Sequence, residues 1–383
     1  MTMWQTGQSR EVIMKELEAA RSRDHHFCDG HVISSMCTQP LDIAAEAHAM
    51  FIEANLGNAG LYPGTLELEK RVVAAIGQLL GADENIAGGV VSGGTEANIT
   101  ALWMARNITR KKKVIFPASA HFSFHKACDI LAMEPVMVPM GPDHAMDIDL
   151  LAKALDGDVA AVVGIAGTTE LGAVDDIGAI SAILPENTFL HVDAAFGGFV
   201  LPFLRELGYR TPDFDFSVPG VASIAADPHK MGMATVPSGA LLVRDREWFR
   251  TIHKDAPYLD MLGQLSALSG TRCSAAVAAS YAAMRMLGRD GYLRIVRECM
   301  EVTHHALGKA RKMGLEPVME PLMNILCLRV PDPRKVQKTL DERGWKVSVA
   351  RNPESLRLVM MPHVTRASID SLFAELETVL GDA

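Results

Sequence analysis

Two short apolar runs end in residues that could do chemistry together. Phe189-Leu-His191-Val-Asp193 ends in an acid followed by small residues, Ala194-Ala195-Phe196-Gly197-Gly198. Ser223-Ile-Ala-Ala-Asp227-Pro228-His229-Lys230 breaks at its proline and presents a His–Lys pair. A lysine condenses with an aldehyde to form an imine, and for that it needs a lowered pKa, which a protonated His229 or the bound group itself could provide. A buried strand-end carboxylate must find a cation or several donors, and the protonated nitrogen of a pyridine ring is such a cation. Amine and acid together are what pyridoxal phosphate chemistry needs. Taken singly, Asp193 reads as well as a strand-end acid bonded to backbone N–H groups, and Lys230 as a loop lysine reaching solvent.

Three further segments bear on that pair. Ser92-Gly93-Gly94-Thr95-Glu96-Ala97-Asn98 follows an apolar run and opens a helical one. Glycines let a backbone approach an anion, and free N–H groups at a helix start point at it, so Gly94 and Thr95 are phosphate-binding candidates. The segment is neither a Walker motif nor a dinucleotide fingerprint, and it also fits a plain strand-to-helix turn. His121, in Ala118-Ser-Ala-His121-Phe-Ser-Phe-His125, carries a flat ring that could stack on an aromatic group; it also fits a loop histidine. Its i, i+4 spacing from His125 lacks a third ligand nearby, so no metal site is expected. Gly167-Thr168-Thr169 closes another apolar run, with hydroxyls expected to point into the same crevice.

These segments fall at the ends of expected strands. Strands are expected at 86–91, 113–117, 135–140, 159–166 and 189–192, separated by helical patterns at 95–107, 122–133, 148–155 and 177–184. Several of the runs are apolar throughout, which marks strands covered on both faces in a mostly parallel sheet. Right-handed strand–helix–strand units then bring the strand ends to one crevice. Strands return at 221–226 and 239–243, the second with antiparallel character, followed by helices at 274–286 and 292–313. The last third mixes strands at 324–330, 346–350 and 356–360 with helices at 333–343 and 366–380. The N-terminal part is expected to be a helix over 11–23 and then an irregular stretch to Pro40.

The 383 residues suffice for more than one domain. A net charge of −9 argues against a nucleic-acid backbone as partner. No run approaches a membrane span and the N-terminus has no apolar signal core, so a soluble cytoplasmic protein is expected. The six cysteines show no C-x-x-C spacing and read as free thiols.

The stretches LYPGTLELE, SGGTEAN, ASAHFSFHKA, AGTTELGAVDD, HVDAAFGGFVLPF, DPHKMGMATVPSGALLVRD, LSGTRCSAAVAASYA and LRLVMMPHVT span Leu61 to Thr365. They resemble the group II pyridoxal phosphate-dependent amino-acid decarboxylases, above all the archaeal L-tyrosine/L-aspartate decarboxylases of methanofuran and coenzyme A synthesis. The resemblance implies an α/β, fold-type-I (aspartate aminotransferase-like) architecture. An N-terminal helical segment (1–45) would precede a large domain (46–285) with a mostly parallel seven-stranded sheet and a small C-terminal α+β domain (286–383). It implies that Lys230 carries pyridoxal 5'-phosphate as an imine, that Asp193 pairs with the ring nitrogen, and that His121 and Ala195 flank the ring. Gly94, Thr95 and His229 would hold the phosphate, and Thr169 would approach the ring hydroxyl. Asp227 matches a position that is Asn or Asp near the lysine. Gly270 and Thr271 would reach the phosphate of a partner subunit, which implies a homodimer with shared sites. Tyr258 is a candidate proton donor. Arg357 and His363 are candidate substrate contacts, Arg357 being equally readable as half of a surface ion pair. The activity implied is loss of CO₂ from L-tyrosine or L-aspartate. Other enzymes of the same fold (a retro-aldol lyase, an aminotransferase, a cysteine desulfurase) and a non-catalytic binding protein are the competing readings.

Overall fold

The computed structural model describes residues 6–254 and 267–381. Ten strands are present among them: β1 Ala87–Val91, β2 Lys113–Pro117, β3 Glu134–Val138, β4 Val159–Ile165, β5 Phe189–Asp193, β6 Val221–Ala226, β7 Gly239–Val243, β8 Ile325–Leu328, β9 Ser348–Arg351 and β10 Glu354–Val359. The helices are α1 Arg10–Arg21, α2 Asp42–Met50, α3 Pro63–Leu79, α4 Gly94–Thr109, α5 Ser123–Leu131, α6 Ile148–Ala154, α7 Ile177–Ile183, α8 Leu201–Glu206, α9 Ala275–Lys312, α10 Pro333–Glu342 and α11 Arg366–Gly381.

The first seven strands form one sheet in the order β1-β7-β6-β5-β4-β2-β3. Its β3-β2-β4-β5-β6 part is parallel, and β7 runs antiparallel to both β6 and β1. Strands β4 to β7 are buried along their whole length, as their unbroken apolar runs require. Alternate residues feed two cores. Val162, Leu190 and Ile224 face one, and Ala161, Val163 and Phe189 face the other, which is closed by α4. Helix α4 leaves the edge strand β1, crosses beneath β7, β6, β5 and β4, and delivers the chain to β2. That crossing puts the amino end of α4 beside the carboxyl ends of β5 and β6. Asp147 and Asp176 cap α6 and α7 by accepting Leu150 N–H and Ala179 N–H, which fixes where those connections turn back.

The C-terminal part is an antiparallel sheet, β8-β10-β9, covered by α10, α11 and the end of α9. The two helices expected on either side of residues 287–291 are both present within α9, which is broken by a kink at Gly288 (φ +55°, ψ −171°), a conformation that a side chain would strain. The expected boundary at 285/286 falls just before this bend. The N-terminal segment is not free-standing. Val32 bridges to Lys346, and Ile33 is buried in the core of the small sheet.

Candidate active site

The carboxyl ends of β4, β5 and β6 and the start of α4 surround a cavity of about 380 Å³, within the range of small-molecule sites. Gly94, Thr95, His121, Thr169, Asp193, Ala195, Asp227, His229 and Lys230 all stand on its wall. Asp193 is the last residue of β5. Lys230 ends a turn that begins one residue after β6, closed by Lys230 N–H to Asp227 O (3.0 Å) and tied to the β5 side by Asp227 N–H to Ala195 O (3.1 Å). Pro228 ends the strand because it has no N–H to donate to a ladder.

The Lys230 ammonium lies 3.1 Å from Asp227 Oδ2. Burial works to lower its pKa, but the fields of Asp227 and Asp193 outweigh burial, and the pKa is raised. The expectation of a lowered lysine pKa therefore fails in the cofactor-free protein. Of the two expected causes, a protonated His229 is the one not met, because burial lowers the pKa of His229 against the pull of Asp227. His229 Nδ1 lies against the backbone of Ser238, accepting its N–H at 3.1 Å, and Nε2 is 3.7 Å from Asp227 Oδ2. His121 is shifted the same way, by burial against the field of Asp193.

Asp193 accepts Ala195 N–H on Oδ1 (3.0 Å) and Asn98 Nδ2–H on Oδ2 (2.9 Å). Asn98 also lines the cavity. It stands in the glycine turn's helix but was not singled out from the sequence, since its partner lies 95 residues away. The turn itself is braced by Glu96, which accepts Ser92 N–H (2.7 Å) and Ser269 Oγ–H (2.6 Å). Burial raises the Glu96 pKa, but those hydrogen bonds prevail and the net shift is downward. The threonine pair divides. Thr169 is on the wall, whereas Thr168 is buried and its hydroxyl accepts Ala173 N–H (3.0 Å), so only one of the two expected hydroxyls serves the crevice.

The wall fits pyridoxal phosphate. A Cβ at Gly94 would stand 3.1 Å from Ala195 Cβ and 3.2 Å from Asp227 Oδ2, so a side chain there would fill the space between the turn and the strand ends. A Cβ at Gly93 would meet His229 Cε1 at 3.2 Å. The 16-residue helix α4 opens after Gly93 with no side-chain cap, which leaves its first backbone N–H groups available to an anion. An amine, a carboxylate and an anion cradle thus share one cavity.

Gly270, Thr271, Arg357 and His363 lie off this wall. Arg357 is buried; its Nη1 donates to Ser34 O (2.9 Å) and Ser348 Oγ (3.1 Å). It makes no surface ion pair among the described residues, and burial lowers its pKa. Its Nε and Nη2 are buried and have no hydrogen-bond partner among the described residues. His363 lies 2.7 Å from Val32 O and 2.8 Å from Thr38 Oγ1. Both residues therefore hold the strap 32–38, and that strap brings Met36 to the cavity. The strap carries no periodic pattern, so nothing in the sequence marked Met36. Gly270 and Thr271 are exposed, in a turn whose Gly270 O lies so close to Gly57 that a Cβ there would clash at 2.1 Å. Tyr258 lies outside the described residues.

The sequence profile of the pyridoxal-dependent decarboxylase conserved domain matches residues 10–330. A probable L-tyrosine/L-aspartate decarboxylase of Methanothrix thermoacetophila is 45% identical over 99% of this chain and 98% of its own. Among solved structures, the sphingosine-1-phosphate lyase of Burkholderia pseudomallei superposes with a TM-score of 0.91 at 28% identity, covering 100% of this chain and 93% of that one. The glutamate decarboxylase of Lactobacillus brevis superposes at 0.88 and 21% identity over 98% and 93%, a likeness of fold alone. The seven-stranded sheet and the small C-terminal sheet are those of fold type I, and this chain belongs to the pyridoxal-dependent decarboxylase family.

Proposed function

We propose that this protein removes the α-carboxylate of an L-amino acid as CO₂, converting L-tyrosine to tyramine, L-aspartate to β-alanine, or both. The observation that carries this reading is the meeting of Lys230 Nζ, Asp193 and the Gly93–Gly94 turn on one cavity. Bound pyridoxal phosphate supplies an aldehyde for the substrate amine and a protonated ring that takes up the electrons of the breaking Cα–carboxylate bond. In this reading Gly94, Thr95 and His229 hold the phosphate, and Asp193 faces the ring nitrogen and keeps its proton there. His121 and Ala195 confine the ring from its two faces, and Thr169 sits on the hydroxyl side. Lys230 anchors the cofactor and takes it back after each turnover. To attack, its ammonium must first lose a proton, which the ion pair with Asp227 Oδ2 at 3.1 Å opposes.

The mouth of the cavity supports an aromatic side chain. Met36, Phe122 and Val236 line it, and Phe122 and Val236 are exposed apolar groups. Aspartate is the second reading, and it rests on Arg357. Two donors of that guanidinium have no partner among the described residues and are chemically suited to a carboxylate. The archaeal relative's name joins the same two substrates. The exposed turn at Gly270 and Thr271 supports a homodimer in which it contacts the partner subunit's phosphate site. The reading places the enzyme in the cytoplasm, at an amine-forming step of methanofuran or coenzyme A synthesis.

A panel of L-amino acids, assayed for CO₂ and amine with the wild type and Lys230→Ala, tests this. Tyrosine or aspartate should release equal amounts of CO₂ and amine, and the variant should release none and lose the lysine-bound cofactor absorbance. Formation of a keto acid without CO₂ would replace the reading by an aminotransferase. A wild type that shows no absorbance change with pyridoxal phosphate would remove it altogether.

A further inference from the structure

Behind Asp193 lies a chain of buried polar groups that spans both sides of the cavity. Asn98 Nδ2 donates to Asp193 Oδ2 (2.9 Å) and to Ser123 Oγ (3.0 Å). Asn98 Oδ1 lies 2.9 Å from His191 Nε2, and His191 Nδ1 lies 2.8 Å from Ser223 Oγ. Ser123 Oγ and Ser123 N in turn lie 3.0 Å and 3.3 Å from His121 Nδ1. Asn98, Ser123, His191 and Ser223 are all buried, so each donor and acceptor has to be satisfied within the chain.

That requirement leaves one assignment of protons. A carboxylate only accepts, so the amide of Asn98 must turn its NH₂ toward Asp193 and its oxygen toward His191. His191 then carries its proton on Nε2 and accepts from Ser223 on Nδ1. One lone pair of Ser123 Oγ is taken by Asn98. Ser123 N–H points at His121 Nδ1, which demands a bare nitrogen there, and the Ser123 hydroxyl proton then has His121 Nδ1 as its acceptor. His121 is held with its proton on Nε2.

We propose that Asn98 is a positioning residue: it orients the Asp193 carboxylate directly and, through Ser123, holds His121 as the Nε2–H tautomer. One amide thereby sets the acid on the ring-nitrogen side and the imidazole on the ring face. Its importance for turnover rests on the roles given above to Asp193 and His121; the hydrogen-bond assignment itself does not.

The test uses histidine-¹⁵N NMR on the cofactor-free protein and ¹⁵N-labelled pyridoxal phosphate on the loaded one, for the wild type, Asn98→Asp and Ser123→Ala. In the wild type His121 should show a protonated Nε2 and a bare Nδ1, and the bound ring nitrogen should be protonated. Ser123→Ala removes the nearer donor, the hydroxyl, but keeps the backbone N–H, so it should weaken the His121 preference for Nε2–H without reversing it and leave the ring nitrogen as it was. Asn98→Asp replaces the donor facing Asp193 by an acceptor. It should move both signals and weaken cofactor binding about tenfold or more, the scale of one hydrogen bond to a buried charged group. A His121 with Nδ1 protonated in the wild type would overturn the proposal. So would a ring nitrogen that Asn98→Asp leaves unchanged, or one that Ser123→Ala shifts equally. If Asn98→Asp does not fold, the wild type and Ser123→Ala still decide the His121 arm. If pyridoxal phosphate fails to bind the wild type, the functional reading falls while the histidine spectra still decide the proton assignment.

Discussion

Replacing Asp227 by asparagine should make the cofactor-free protein capture pyridoxal phosphate faster at neutral pH. The reason is the charge on Lys230, which must leave before the amine can attack an aldehyde. Asp227 is buried and its Oδ2 lies 3.1 Å from Lys230 Nζ. At that separation two unit charges attract by about 5 kcal/mol with an effective dielectric constant of about 20. The groups facing the ammonium are Asp227 from its own turn, Asp193 from β5, His229 beside it and Cys37 from the strap. Both carboxylates raise its pKa and burial lowers it. Asparagine preserves the shape and the backbone N–H to Ala195 O, removes one carboxylate and leaves burial in place. The sign is therefore downward: the ammonium loses its proton at lower pH. Even a quarter of the pair energy gives about a tenfold rise in free amine at neutral pH, since about 1.4 kcal/mol is a factor of ten. Stopped-flow absorbance on mixing with pyridoxal phosphate, as a function of pH, reads the rate and its midpoint. The rate of Lys230 acetylation by acetic anhydride, read by mass spectrometry, reports the same fraction without a phosphate to be held. A midpoint in Asp227→Asn equal to or above the wild-type value, by both methods, would refute the reasoning.

Two further expectations concern stability. Glu69 and Arg272 form a buried bidentate pair (2.6 and 2.9 Å) between α3 and the segment entering α9. Removing one partner leaves an uncompensated buried charge, so Glu69→Gln should destabilise by about 3–5 kcal/mol in denaturant titration, and Glu69→Met with Arg272→Met should recover part of it; a single-variant loss under about 1 kcal/mol would contradict this. Burial pushes the pKa of His191 down to about 4 and, against hydrogen bonds from Met146 and Ile165, that of Asp175 up to about 6. Between about pH 6.5 and 4 the unfolded chain holds the His191 proton and the folded one does not, so stability falls on acidification. Asp175 does the reverse between about pH 6 and 3.9, each contribution being about 3 kcal/mol in total. The two slopes offset, and Asp175→Asn should expose the His191 slope as a steeper fall of Tm from about pH 6 to about 4.5. An unchanged slope would show that one of the two groups titrates elsewhere.

What the sequence revealed and what it withheld follow from how far each interaction reaches along the chain. Strands β4, β5 and β6 were legible because burial on both faces leaves runs that are apolar but for His191, Asp193 and Ser223, and Thr169, Asp193 and Lys230 stand at or just beyond their ends, as the Gly93–Gly94 turn does beyond β1. Once the sheet order is set, such residues need no further information to meet, and nine candidates meet on one wall. Asn98 was in view within the glycine segment, yet its work is defined by partners 95 and 93 residues away, which no local pattern encodes. Arg357 was legible only in part. An arginine in an apolar strand suggested either substrate or an exposed ion pair, and the second falls because β10 turns it inward against Ser34 and Ser348, partners from both ends of the chain. The strap it holds has no period because it is neither helix nor strand. Its order is imposed from outside, by Arg357, His363 and the burial of Ile33 against the small sheet. Residues near the catalytic groups in sequence were thus readable for what they touch. Residues that position those groups from other elements were readable only as types, and their roles appear when the fold closes the distance.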